Sequence, residues 1–204
     1  MKPIKEGKVR EIYDNGDSLI MVATDRISCF DVILKNVVSK KGTVLTQMSK
    51  FWFDLTKDIL PNHMISTDVK DMPEFFQKPK YDGNSMMCKK LEMLPIECIV
   101  RGYITGSGWM SKGIIIADTK FEFGLDEEGN MVIGDEMLTP DSSRFWPVEG
   151  YEPGHGQPSF DKQFARDWLT SHPDNDWTLP DDVVQKTIDK YLQCYKMITG
   201  EELA

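Results

Sequence analysis

The chain has no run approaching the roughly 18 consecutive apolar residues of a membrane-spanning helix. Its start, MKPIKEGKVREIYD, lacks the apolar segment of a secretory signal. A cytoplasmic address with no membrane partner is therefore expected. Basic residues are in short supply: 24 Lys and Arg stand against 33 Asp and Glu, for a formal charge of −9. That balance argues against a general nucleic-acid surface, since phosphate backbones are held by clustered Lys and Arg. The basic residues gather only locally, which suits a small anionic ligand. The four cysteines, Cys29, Cys88, Cys98 and Cys194, have no spacing resembling a zinc knuckle or a redox Cys-x-x-Cys, so buried free thiols are expected. Internal repeats, low-complexity tracts and a Gly-x-x-x-x-Gly-Lys-Ser/Thr phosphate loop are also missing.

What is present is an ordinary folding sequence. Its 204 residues, 40% of them hydrophobic, can bury a substantial core as one large domain or two small lobes. GKVREIYD alternates Val9, Glu11 and Tyr13 against Arg10 and Ile12; Asp14-Asn15-Gly16-Asp17 supplies a turn, and SLIMVATD returns as a buried strand. From Gly42 the period changes, with Leu45, Met48, Trp52, Leu55 and Ile59 marking an amphipathic helix that Pro61 ends. MMCKK and LEMLPIECIV read as strands interrupted near Met93-Leu94-Pro95. TPDSSRFWPVEGYEPGHGQPSF reads as a long loop, functional because three aromatics argue against disorder. DKQFARDWLTSH and the segment from Pro180 to Ile198 are helical, the latter with Val184, Ile188, Tyr191, Tyr195 and Ile198 on one stripe and Gly200 as a stop.

The stretch KFEFGLDEEGNMVIGDE reads as a hairpin with a carboxylate in each strand, Glu122 and Asp135, where Thr or Val would be more comfortable. A turn centred between Glu128 and Gly129 sets these two directly opposite each other. Like charges at that separation repel, so something positive should sit between them. Alternation places Asp118, Lys120 and Glu122 on one face and Thr119, Phe121 and Phe123 on the other. Two carboxylates and a lysine lining a cleft suit a divalent cation carrying a phosphate chain; a solvated outer face would read the same way.

Three further clusters could carry chemistry. Lys8 and Arg10 follow a glycine and share a strand face, where they could cover nucleotide phosphates. TDRISCFD sets Asp25, Arg26, Ser28 and Asp31 after a buried strand, as a site or as a helix cap. Arg101 and Ser107 in VRGYITGSGW, with Asp141, Ser142, Ser143 and Arg144 in LTPDSSR, point to an anionic substrate, such as a phosphate ester, beside the metal site. His63 and His155 have no partner pattern and read as loop residues.

Together GKVREIYD, ATDRISCFDVIL, KKGTVLTQMSKFW, LPIECIVRGYITGSGW, IIADTKFEFG, IGDE (IDE in the family), LTPDSSRFWP and QPSFDKQFARDWL resemble the SAICAR synthetase (phosphoribosylaminoimidazole-succinocarboxamide synthase) family, in consistent order from about Gly7 to Leu169. The resemblance implies an ATP-dependent ligase that joins carboxyaminoimidazole ribonucleotide (CAIR) to L-aspartate. It implies a two-lobed α/β (α+β) fold related to kinases and ATP-grasp proteins, with antiparallel sheets and C-terminal helices. The division expected is an ATP-binding lobe, 1–93, and a metal and substrate lobe, 94–204. Carried over by position, Lys8, Arg10 and Lys120 would meet the ATP phosphates and the backbone at Lys90, Leu91, Glu92 and Met93 the adenine edge. Glu122 and Asp135 would hold Mg²⁺. Asp25, Arg101, Ser107, Asp118, Asp141 and Arg144 would line the ribonucleotide and aspartate side, with Lys120, Asp118 and Arg144 nearest the reacting groups. No covalent enzyme nucleophile is required, because positioning and charge neutralisation carry such a reaction.

The sequence departs from the family at one place. After GSGW the family continues for several tens of residues before the strand leading to ADTKFEFG, whereas here GSGWMS runs straight into KGIIIADTK. A shortened protein, an engineered deletion, or residues missing between Ser111 and Lys112 would each produce this seam; the last is favoured, and would leave the two Cα atoms farther apart than the ~3.8 Å of a trans peptide. Two other function classes stand beside the ligase. A kinase requires a His-Arg-Asp catalytic loop with a downstream Asn, which the chain lacks. A nucleotide binder silenced by the seam would protect ATP and release no ADP.

Overall fold

In the computed structural model the described residues are 1–104 and 112–203. The N-terminal third forms an antiparallel sheet from β1 (Lys5–Glu6), β2 (Arg10–Asp14) and β3 (Ser18–Ala23), joined later by β6 (Met64–Ser66) and β7 (Ser85–Lys89) in the order β1-β2-β3-β7-β6. The β2–β3 turn forms where Asn15 and Gly16 offer it: the Asn15 amide donates to Ser18 O (3.0 Å) and Gly16 takes φ +73°. A separate ribbon, β4 (Arg26–Cys29) and β5 (Val32–Val37), leads to helix α1 (Lys41–Thr56).

Helix α1 starts where the Asp25 carboxylate accepts the amides of Lys40 (3.2 Å) and Gly42 (2.9 Å). Such acceptors satisfy donors that a helix start leaves unpaired. Gly42 is pressed against the Ala23 carbonyl, where a Cβ would collide. The buried stripe is Val44, Leu45, Met48, Trp52 and Phe53. Leu55 and Ile59, read from the sequence as its continuation, are exposed, and the helix stops at Thr56 well before Pro61. The amides of Ile59 and Leu60 both fold back onto Thr56 O, a turn that ends the helix without proline.

Lys90 and Leu91 link β7 to the second sheet, built on the long central strand β9 (Ile114–Leu125). Strand β8 (Glu92–Ile104) pairs along one edge of β9; β10 (Met131–Gly134) and β11 (Ser143–Pro147) share the other. The stretch read as a long loop thus contains a strand. The β8–β9 ladder shifts register between Met93 and Glu97, as the Met93-Leu94-Pro95 interruption suggested. Residues 61–63 tie the sheets together. Ile133 of β10 donates to Pro61 O (2.9 Å), His63 donates to Ile133 O (2.9 Å), and Lys89 of β7 donates to His63 O (2.8 Å).

Helices α2 (Gln163–Ser171) and α3 (Asp181–Thr199) close the chain, α3 ending at Gly200 in the left-handed conformation with its amide on Lys196 O (2.8 Å). Tyr191, Cys194, Tyr195 and Ile198 of α3 join the α1 stripe, Ile114, Ile116 and Phe145 in one core cluster. Val184 and Ile188 instead pack on a second cluster formed by α2 and the β4–β5 ribbon. All four thiols are free; Cys29, Cys88 and Cys194 are buried. Among the described residues no helix is long and apolar enough to cross a membrane.

Candidate functional site

The alternation expected along β9 is present. Thr119 is buried and Phe121 and Phe123 pack on the main core, while Asp118, Lys120 and Glu122 form a row on the opposite face. Neighbouring strands supply a counter-charge to Asp118 and Lys120, and Lys120 itself supplies that of Glu122. Arg144 of β11 faces Asp118 and donates from Nε to both carboxylate oxygens (3.0 and 3.1 Å), with a second nitrogen also on Oδ2. Arg101 of β8 stands 3.9 Å from the same carboxylate. The Arg144 bonds, aided by both guanidinium charges against the opposing effect of burial, hold Asp118 below the usual carboxylate range. Lys120 Nζ sits between Glu122 (2.6 Å) and Glu97 (3.1 Å). Burial disfavours its charge, but bonds to two carboxylates outweigh that and push its pKa up.

The hairpin corrects one expectation. Glu122 faces Gly134, not Asp135. The turn is a three-residue loop in which Gly129, at φ +81°, donates to Asp126 O (3.0 Å), and the Asp126 carboxylate accepts the amides of Glu128 (3.0 Å) and Asn130 (2.8 Å). A glycine at the left-handed third position makes the loop odd in length and moves the register by one residue. Asp135 lies past the end of β10 at φ +58°, close to Leu138 at φ +50°. Left-handed non-glycine residues so close together concentrate backbone strain where functional sites often hold it. The positive charge expected between the two carboxylates comes from two protein side chains. Lys120 takes Glu122, while Arg10 bonds Asp135 through one guanidinium nitrogen and Glu136 through the other (2.9 Å).

Lys8 does not share a strand face with Arg10. It lies in a bend before β2 and pairs with Asp31 (2.6 Å). The bend is pinned by Arg26, which donates to Gly7 O (3.1 Å) and Lys8 O (3.0 Å). Lys90 pairs with Asp14 (2.6 Å). Leu91 and Met93 cover Gly124 and Gly134, so the Lys90–Met93 segment lies directly on the hairpin; a Cβ on Gly124 would sit 2.8 Å from that of Leu91. Asp25 is engaged in capping α1, the alternative its position allowed.

In LTPDSSR the carboxylate of Asp141 is buried. It meets Lys41 Nζ at 2.7 Å and accepts from the Tyr191 hydroxyl at 2.6 Å, with Lys162 at 3.9 Å. Burial opposes its charge, but the Lys41 and Lys162 charges outweigh it and hold Asp141 well below the carboxylate range. The hydroxyls of Ser142 and Ser143, expected to face a ligand, are buried braces bonded to Thr139 and Thr119. A cleft of about 320 Å³ nevertheless brings Asp118, Asp141 and Arg144 together with Asp161, Lys162 and Arg166. The last three went unrecognised, although FDKQFAR carries their charges in one run. Lys41 also went unrecognised, and His63, in the bend before β6 as its loop reading expected, is buried. Its ring places Nε2 3.1 Å from Asp135 O and makes an edge contact to Phe53. Ser107, and the separation expected between Ser111 and Lys112, lie outside the described residues.

Comparison with known proteins shows the family of the chain. The family model described as SAICAR synthetase matches residues 3–111 and 108–179, two stretches that meet at the seam. A phosphoribosylaminoimidazole-succinocarboxamide synthase of Lachnospira eligens is 51% identical, covering 98% of this chain and 95% of its own. One of the same name from Maridesulfovibrio salexigens is 40% identical over 100% and 95%. A solved SAICAR synthase from Saccharomyces cerevisiae complexed with SAICAR superposes with a TM-score of 0.87 at 33% identity, over 100% of this chain and 96% of that one. The alignment to the Lachnospira protein runs over 282 residues, more than the 204 of this chain, so that relative carries a stretch absent here.

Proposed function

Since the chain belongs to the SAICAR synthetase family, we propose that its charged clusters divide the work of a single ligation. It is an ATP-dependent ligase of purine biosynthesis that joins the carboxylate of CAIR to the amine of L-aspartate and forms SAICAR, ADP and phosphate. A carboxylate is a poor electrophile. Phosphorylating it supplies a leaving group that the amine displaces, so the protein's task is to align the partners and offset charge.

Arg10 and Lys120, with Lys8 at the glycine bend, bind the phosphates of ATP, and the backbone of Lys90, Leu91, Glu92 and Met93 meets the adenine edge. This supports a boundary between an ATP lobe, 1–93, and a metal and substrate lobe, 94–204, because Lys90 and Leu91 link the two sheets. Glu122 and Asp135 suit Mg²⁺. They offer hard oxygen donors, and each now draws a cation to itself. One or two carboxylates beside substrate phosphates are the usual set for this ion. When bound, Mg²⁺ would offset charge growing on the transferred phosphoryl group.

Arg144 and Arg101, aligned by Asp118, hold the anionic groups of CAIR and aspartate, and Lys162 and Arg166 add charge across the cleft. Asp141 acts from beneath, fixing the turn that leads into β11 and Arg144, and Asp25 acts through the start of α1. The observation that carries this reading is the row Asp118, Lys120 and Glu122 beside the cleft, each member bonded to an opposite charge from another position. A cytoplasmic location suits such substrates.

The test is product formation by the purified chain. ADP and SAICAR should appear in equal amounts and only with both CAIR and aspartate present. ATP binding without ADP release would mean that the stretch absent here supplied an indispensable part.

A further inference from the structure

The hydroxyl of Tyr191 adds nothing to packing that phenylalanine would not supply. Its side chain is buried on the core stripe of α3 with Cys194, Tyr195 and Ile198. A hydroxyl carried that deep is unfavourable unless it is bonded, and this one donates to Asp141 Oδ1 at 2.6 Å. Burial and the Asp141 charge push the phenol pKa well up, so the group stays a donor.

The oxygen it takes is the one that faces Lys162. Lys41 Nζ lies 2.7 Å from Oδ2, whereas Lys162 Nζ stands 3.9 Å from Oδ1, too far for a hydrogen bond. Two ammonium groups thus share one carboxylate, and the surplus positive charge rests on Lys162. Among the described residues Lys162 forms no other ion pair. The carboxylate beside it in sequence, Asp161, accepts the amide of Gln163 at the start of α2 (2.8 Å). Lys162 is therefore a cation held roughly 1 Å short of hydrogen-bond contact with its nearest anion, on the wall of the cleft with Asp118 and Arg144.

On the reading that CAIR and L-aspartate bind beside Arg144, we propose that Tyr191 is a positioning residue for the ligation. By occupying Asp141 Oδ1 it keeps Lys162 free to meet an acidic group of one of these substrates. Without the hydroxyl, Oδ1 becomes a buried acceptor lacking its donor, and a neighbouring ammonium on a flexible stem relieves that state by moving onto it. Lys162 then leaves the cleft. The fold is kept because one donor replaces another, and the loss falls on substrate binding. A tyrosine that merely braced α3 against the turn before β11 would show the reverse, a lower melting point with normal affinity.

Steady-state kinetics on the full chain, with CAIR and L-aspartate varied in turn, test this. Lys162→Met identifies the substrate that the lysine meets by the KM that rises. Tyr191→Phe should raise that same KM about tenfold, with kcat within about twofold of wild type and the thermal midpoint within a few degrees. The double variant should match Lys162→Met alone, because the hydroxyl acts only through the lysine. Calorimetric titration of the same substrate into each variant reads the corresponding loss of affinity without turnover. If neither KM nor affinity responds to Lys162→Met, the placement of substrate in the cleft falls, and the role of Tyr191 with it. If Lys162→Met responds while Tyr191→Phe binds like wild type, Tyr191 alone loses its role. The same follows if the two effects multiply in the double variant.

Discussion

Asp141 shows what one buried charge demands. Lys41, fully buried, is its nearest cation, and Tyr191 and Lys162 complete the surroundings. Removing one member of a buried pair costs far more than the pair contributes. Lys41→Met should therefore destabilise the fold by about 3–5 kcal/mol in urea unfolding, with much of the loss recovered when Asp141→Leu is added. Asp135 differs, because Arg10 keeps Glu136 at 2.9 Å when that carboxylate is neutralised. Asp135→Asn should lower kcat at least about 100-fold and change stability by no more than about 1 kcal/mol. A wild-type rate in this variant would remove Asp135 from the metal site. The charged residues of β9 were legible because alternation alone sorts them. Lys41 was not, since a lysine at a helix start normally faces water and only the fold brings Asp141 beneath it.

At the scale of elements, the hairpin, the ribbon and the helices were readable from turn residues and period, but register and helix length were not. DEEGN permits an even or an odd loop, and the choice lies in the left-handed Gly129. Gly129→Ala should cost about 1 kcal/mol in thermal unfolding, because that conformation penalises a Cβ. Helix α1 was read too long because Leu55 and Ile59 continue its period while lying on the surface, and an exposed leucine breaks no rule. Strand β11 was hidden by its length and by Pro147; only pairing with Ile114 through Thr119 makes SRFWP a strand.

For the molecule as a whole, His63 couples the two sheets to pH. Burial, reinforced by the Arg10 charge, pushes its pKa from 6.5 down to about 4. As pH falls below 6.5 the unfolded chain takes up a proton that the native ring refuses, so stability is lost progressively until about pH 4. The loss should reach about 2 kcal/mol at pH 5, read as a lower urea midpoint than at pH 7.5, and His63→Gln should flatten that dependence. Asp118 and Asp141, held low, add their own loss only below the carboxylate range. The side chains proposed to grip phosphate, Arg10 and Lys120, are those now clasping the carboxylates proposed to grip metal. Ligand entry is then an exchange of partners, with as many opposite-charge contacts after it as before. Calorimetric titration should find nucleotide and metal each weak alone and strong together. Their joint affinity should change far less between low and high salt than that of a pocket of bare lysines, which would release counter-ions.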